Sequence, residues 1–304
     1  MVPLQLDSRR CQVQRLELPL ADGSGDVLVG ALQRPGGRER SLAVLIHGLS
    51  GNEESAYMIA SAGALLERGH PVLRLNLRGA GPSRALCRLQ YHAGRSADLR
   101  DALAGLDPRL VERGLLLIGY SLGANMLLKF LAEFGDGFPI VASCAVSAPI
   151  DLAAASYRFL APRNRVYHWK LLRSMKLEAQ AEGGRLTDAE RRAVASARSI
   201  LEFDEKFVAP RNGYPSAAAY YADNMALRFL ARIEVPTLII HACDDPWIPA
   251  DAYRSFPWSD HPNLVPLLPD GGGHVGFHGA GSPVPWHDRC LAVFFDAITG
   301  AAGT

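Results

Sequence analysis

Five short, almost uninterrupted apolar runs punctuate this chain: Leu42–Ile46, Val72–Leu75, Leu115–Ile118, Ile140–Val146 and Thr237–Ile240. Runs of this length and apolarity are the pattern of strands buried on both faces, as in a parallel sheet. Helical patterns accompany them over about 55–68, 95–106, 122–134 and 285–298. The third carries Leu127, Phe130, Leu131 and Phe134 on one face. Strands alternating with helices predict βαβ units, right-handed crossovers and a doubly wound α/β fold. Residues 12–33 instead alternate with period two around Asp22-Gly23-Ser24-Gly25. That reads as a β-hairpin, forming the antiparallel edge of the otherwise parallel sheet.

The rhythm breaks between Pro149 and Pro236, where strand signals give way to helical ones. Val166, Trp169, Leu172 and Met175 recur every third residue, and Thr187-Asp188-Ala189-Glu190 reads as a capping box. Pro162, Gly183-Gly184 and Pro210–Pro215 divide the segment. The expected organisation is a core of residues 1–150 and 236–304, with 151–235 as a helical cap insertion packed over one edge of the sheet.

Composition adds exclusions. A net charge of +1 over 304 residues gives no reason to expect a nucleic acid or an anionic membrane as partner. Five scattered cysteines, odd in number and without a CxxC pair, fit reduced thiols in a cytoplasmic protein. The first residues lack a signal-peptide core and no run approaches about 18 apolar residues, so no stable membrane insertion is expected.

The chemistry begins at Gly119-Tyr120-Ser121-Leu122-Gly123, between a predicted strand and a predicted helix. A turn that sharp demands small flanking residues and lifts the serine hydroxyl off the sheet. The backbone N–H of Leu122 then faces the site at the positive end of a helix, where an oxyanion is stabilised. A serine hydroxyl needs a base. In chain order, an acid and a histidine follow at the ends of later runs. His241-Ala242-Cys243-Asp244-Asp245-Pro246 closes Pro236–Ile240, and Pro269-Asp270-Gly271-Gly272-Gly273-His274 closes Leu264–Leu268. His274 is the expected base. Of the two carboxylates Asp245 is preferred as its partner and Asp244 is assigned to the turn, although adjacent residues differ only in the way they face. His274 and His278 have metal-ligand spacing, but the surrounding glycines oppose the helix such a pair requires. His47-Gly48-Leu49-Ser50-Gly51, after Leu42–Ile46, sits where the second oxyanion donor belongs. Leu49 is the expected donor and His47 a loop-orienting residue.

With these residues assembled, the chain resembles the YheT-like α/β-hydrolases, relatives of the yeast ethanol acyltransferase/esterases. The stretches that carry the likeness include His47-Gly48-Leu49-Ser50-Gly51, Asn76-Leu77-Arg78-Gly79, Tyr91-His92-Ala93-Gly94 and Gly119-Tyr120-Ser121-Leu122-Gly123-Ala124-Asn125. Later ones are Phe203-Asp204-Glu205, Tyr220-Tyr221, Asp244-Asp245-Pro246 and Gly272-Gly273-His274-Val275-Gly276-Phe277. Ala124 departs from the family's frequent glycine. The resemblance implies a Ser–Asp–His hydrolase acting on carboxylic esters, supports Asp245 as the acid, and implies no cofactor.

The expected function is hydrolysis of a small-molecule ester with a small to medium acyl chain, through an acyl-enzyme. Transfer of that acyl group to an alcohol, or ligand binding without catalysis, are the alternatives. Arg78 is expected to anchor a loop rather than bind a substrate carboxylate. The basic run Arg158, Arg163, Arg165, Lys170, Arg173 and Lys176 is read as a solvated cap face, and Tyr157, Phe159, Tyr167 and Trp169 mostly as cap core.

Overall fold

The structure, a computed structural model, describes residues 13–181, 185–279 and 281–300. Eight strands form one sheet: β1 (Gln14–Pro19), β2 (Val27–Gln33), β3 (Leu42–Ile46), β4 (Val72–Leu75), β5 (Leu115–Tyr120), β6 (Ile140–Val146), β7 (Thr237–Ile240) and β8 (Leu264–Leu267). Their order is β1-β2-β4-β3-β5-β6-β7-β8. β1 pairs antiparallel with β2 and β2 antiparallel with β4, and every later pairing is parallel. The hairpin therefore closes one edge, as its alternation predicts.

The continuous apolar runs are explained by the two faces they serve. Leu115 and Leu117 point into one core, Leu116 and Ile118 into the other. β3 divides likewise, with Val44 and Ile46 on one side and Ala43 and Leu45 on the opposite side. One face is covered by helices Ser96–Ala104 and Leu122–Phe134, the latter contributing Leu127 and Phe130; the other by Ala56–Glu67 and Trp286–Thr299, through Met58, Leu65, Leu291 and Phe295. Burying both surfaces of each central strand is what stabilises the sheet, at roughly 25 cal/mol per Å² of apolar area.

Helices fill the chain between β6 and β7: among them Leu152–Arg158, Arg165–Gln180, Asp188–Ser196, Ile200–Phe203, a π-helical turn Asp204–Val208, and Ala217–Asn224. The capping box forms, with Thr187 and Glu190 each satisfying the other's backbone N–H. The Gly183-Gly184 breaker and Cys11 lie outside the described residues.

Two expectations for this segment are corrected. Val166, Trp169, Leu172 and Met175 do not form one stripe: Leu172 and Met175 are buried, Val166 and Trp169 exposed. At about 100° per residue, a strict three-residue spacing drifts, and positions nine apart face opposite ways. Tyr157, Tyr167 and Trp169 are likewise exposed, and Phe159 alone of the four named aromatics is buried. The helices rest over the edge of the sheet formed by the carboxyl ends of its strands. Their apolar clusters rest on Leu49, Leu122 and Trp247, which follow the carboxyl ends of β3, β5 and β7. Among the described residues, no helix is long and apolar enough to cross a membrane.

Candidate active site

Ser121 stands between the last residue of β5 and the first of helix Leu122–Phe134, with φ 51° and ψ −121°. This backbone conformation is costly for a residue with a Cβ and persists only where its surroundings hold it. Two close approaches do so. A Cβ on Gly119 would lie 2.7 Å from the Ala124 Cα, and one on Gly123 would lie 2.6 Å from the Ile46 carbonyl oxygen. The flanking glycines are thus required by the tight packing of helix on strand. Among the described residues, the non-glycine positions with positive φ are Ser50, Ser121, Ser147, Val275 and Phe277. All five lie on loops that leave the carboxyl ends of β3, β5, β6 and β8.

Three predicted residues converge there. His274 Nε2 lies 2.9 Å from Ser121 Oγ, and His274 Nδ1 lies 2.7 Å from Asp245 Oδ2. The second oxygen of Asp245 accepts the backbone N–H groups of Trp247 (2.8 Å) and Ile248 (3.0 Å). Burial pushes the Asp245 carboxyl up, but its hydrogen bond and charge interaction with His274 and the two backbone N–H groups outweigh that. Its pKa is held below the ordinary carboxylate value. The neighbouring Asp244 turns the other way and accepts the Gly273 N–H at 2.8 Å, tying down the loop that carries His274. His278 lies beyond a turn, not on a helix shared with His274.

In the loop after β3 the amides flanking Leu49 are engaged within the protein. Gly48 N–H donates to the Tyr57 hydroxyl (3.0 Å), Ser50 N–H to the Tyr91 hydroxyl (2.6 Å) and Gly51 N–H to the Gly48 carbonyl (3.0 Å). Leu49 N–H has no protein acceptor among the described residues, and neither has Leu122 N–H at the start of its helix. His47 is fully buried and joins this loop to the next: its Nε2 accepts the Leu77 N–H at 3.1 Å while Nδ1 faces the Gly48 carbonyl at 2.8 Å. Burial drives its pKa down to about 4, which keeps the ring neutral and suits that pair of bonds.

Arg78 is far from a substrate role. It is completely buried and forks onto Asp98 (2.8 and 2.7 Å), with further bonds to Asp26 (3.0 Å) and Asp22 (2.8 Å). It pins the turn of the N-terminal hairpin to the helix Ser96–Ala104.

Ser121 and His274 open onto a cavity of about 330 Å³, walled mainly by apolar side chains such as Leu152, Phe159, Leu171 and Ile248. Leu49 and Leu122 also line it. Three contributors escape the sequence reading. Tyr57 holds the loop after β3 from nine positions away, with no sequence signal. Trp247 packs on the His274 ring with centroids 4.5 Å apart; its nearness to Asp245 in the chain is the hint available. Asp204, within a matched stretch that carried no assigned role, is the third.

This architecture and site define a class: an α/β-hydrolase with a serine at the strand-to-helix turn. The family model for the α/β hydrolase fold matches residues 44–280. "Putative esterase YheT" of Escherichia coli (strain K12) is 36% identical over 271 residues, 88% of this chain and 78% of the relative. The chain belongs to the α/β-hydrolase family, within its YheT-like branch. A "Monoacylglycerol lipase" of Saccharomyces cerevisiae is 27% identical over 86% of this chain, which spans 61% of that protein's length. Among solved structures, the Pyrococcus furiosus esterase Pf2001 superimposes with a TM-score of 0.64 at 17% identity, covering 94% of this chain and 93% of the other.

Proposed function

We propose that this chain is a serine hydrolase that cleaves carboxylic esters through an acyl-enzyme. The observation that carries the reading is the unbroken line from Ser121 Oγ through the His274 ring to Asp245, set in the wall of an apolar cavity. Ser121 attacks the ester carbonyl as His274 Nε2 takes its proton, and Asp245 holds Nδ1–H and stabilises the imidazolium. The free N–H groups of Leu49 and Leu122 receive the oxyanion. His274 then protonates the leaving alcohol, and water activated by the same ring releases the acid. The names of the relatives, esterase and lipase, agree with this chemistry.

A cavity of about 330 Å³ is at the low end for small-molecule sites, about 300–1,000 Å³, and suits a small to medium acyl chain. The helices between β6 and β7 serve as the cap of this cavity, walling it through Leu152, Phe159, Leu171 and Ile200. The test is labelling by a fluorophosphonate probe together with a p-nitrophenyl ester chain-length panel. Wild type should label and hydrolyse short and medium esters, and Ser121→Ala should do neither. Equal labelling or turnover by Ser121→Ala would remove the proposal.

A further inference from the structure

The cap reaches the loop after β3 through one tyrosine. Tyr91 lies in a stretch that carries the family likeness, yet it has no part in the line from Ser121 to Asp245. Its backbone N–H donates to the Arg78 carbonyl at 2.8 Å, so it stands on the residue that three carboxylates hold rigid. Its hydroxyl accepts the Ser50 N–H at 2.6 Å and donates to Glu178 Oε2 at 3.3 Å. Glu178 belongs to the cap helix Arg165–Gln180. Two further bonds seat the end of that helix on residues 84–91. Gln90 Nε2 donates to the Glu178 carbonyl (3.2 Å), and Arg84 Nη2 to the Ala181 carbonyl (3.1 Å).

These contacts bear on the Leu49 N–H. Residues 48–51 form a turn closed from within by the Gly51 N–H on the Gly48 carbonyl. From outside, the turn is anchored at two points that flank Leu49: Gly48 N–H on the Tyr57 hydroxyl and Ser50 N–H on that of Tyr91. Where the Leu49 N–H aims therefore depends on both anchors. Ser50 needs its anchor, because a φ of 54° persists in a residue with a Cβ only where the surroundings hold it. A hydroxyl that donates its proton to a carboxyl is also the stronger acceptor, so the Glu178 bond tightens the Ser50 bond.

We infer that Tyr91 and Glu178 are positioning residues for the oxyanion donor: through Tyr91, the seated cap helix fixes the turn that presents the Leu49 N–H. The inference rests on the esterase reading and deepens it. The cap then serves the chemistry as well as the shape of the cavity. Neither side chain lines the main cavity. Their loss should act where charge develops on the oxyanion and leave ester binding almost unchanged.

The test is steady-state hydrolysis of p-nitrophenyl butyrate by four variants. Tyr91→Phe should lower kcat by about 10-fold or more, with KM within about twofold of wild type. Glu178→Leu should lower kcat by about 3–10-fold. Glu178→Gln, whose amide oxygen accepts the same hydroxyl, should recover most of that loss. The double variant Tyr91→Phe/Glu178→Leu should be no slower than Tyr91→Phe, because Glu178 acts through that hydroxyl. Wild-type kcat in Glu178→Leu, losses expressed in KM, or losses that multiply in the double variant overturn the inference and leave the esterase reading intact. Backbone hydrogen exchange followed by NMR tests the same link with no ester present, so its failure is distinguishable from failure of the esterase reading. Glu178→Leu should speed exchange at Ser50 by about 10-fold and leave Ile118, in the middle of β5, as in wild type. Unchanged exchange at Ser50 overturns the inference.

Discussion

Asp244 and Asp245 are consecutive in the chain, yet one accepts the N–H of Gly273 and the other the Nδ1–H of its neighbour His274. Both carboxylates act on the same loop. Asp244 fixes where the loop runs, and Asp245 fixes how the imidazole is turned.

The two should therefore separate cleanly under substitution. Asp245→Asn is expected to reduce kcat by about 10³–10⁴, because the amide presents the wrong partner to the ring. Asp244→Asn, which retains an oxygen for the Gly273 N–H, should cost less than about tenfold. Steady-state hydrolysis of p-nitrophenyl butyrate measures both. Comparable losses would mean that the acid assignment is wrong.

Two glycine-to-alanine changes near the site should diverge in stability. At Gly123 the new Cβ would collide with the backbone oxygens of His47 and Ile46, neither of which is free to swing away. The cost should reach or exceed the top of the usual overpacking range of about 1–3 kcal/mol. At Gly273 φ is +64° but nothing lies within 4 Å of the Cβ position, so only the conformational penalty of about 1–2 kcal/mol applies. Thermal unfolding of the two variants should rank them in that order.

Removing Arg78 should be among the most damaging single changes outside the site. Arg78→Met strips the buried Asp26 of its cation and leaves the buried Asp98 with only the more distant Arg95, at an expected cost of about 3–5 kcal/mol. Arg78→Lys should recover little, since an ammonium cannot reproduce the fork onto Asp98. Urea titration of the three proteins gives the comparison, and near-wild-type stability of Arg78→Met would refute the role.

Behind β5, Asp288 accepts the Ser61 hydroxyl at 2.5 Å, and Ser61 in turn accepts the hydroxyl of Tyr120, the residue before Ser121. Burial pushes the Asp288 carboxyl up to about 7 against that hydrogen bond. Its folded value lies above the unfolded value of about 4, so the folded state holds the extra proton between them. The contribution is complete below about pH 4, declines as pH rises towards 7 and is level above. Relative to Asp288→Asn, wild type should thus lose melting temperature between pH 5 and 7.5. A constant difference across that range would show that the carboxyl titrates normally.

Much of this protein is legible in its sequence because the governing physics is local. Apolar runs of four to seven residues must be buried on both sides, and a glycine-flanked serine between a strand and a helix makes a turn tight enough to expose its hydroxyl. Strand order along the chain and the identity of Ser121, His274 and Leu49 as candidates follow from such rules. The third-residue spacing over Val166–Met175 misled for the same reason: a helix of 3.6 residues per turn carries those positions around its axis.

What remained was decided only by the folded chain. Ser121 and His274 are 153 positions apart, Asp204 and its partner Tyr221 are 17 apart, and Arg78 gathers carboxylates from 20 to 56 positions away. The direction in which each of two adjacent aspartates faces depends on how β7 and β8 lie side by side, and the lining of the cavity on where the helices after β6 come to rest. Periodicity reports which side of an element is buried. It carries no record of which distant element does the burying, because that choice is made by the sum of many weak contacts across the sheet.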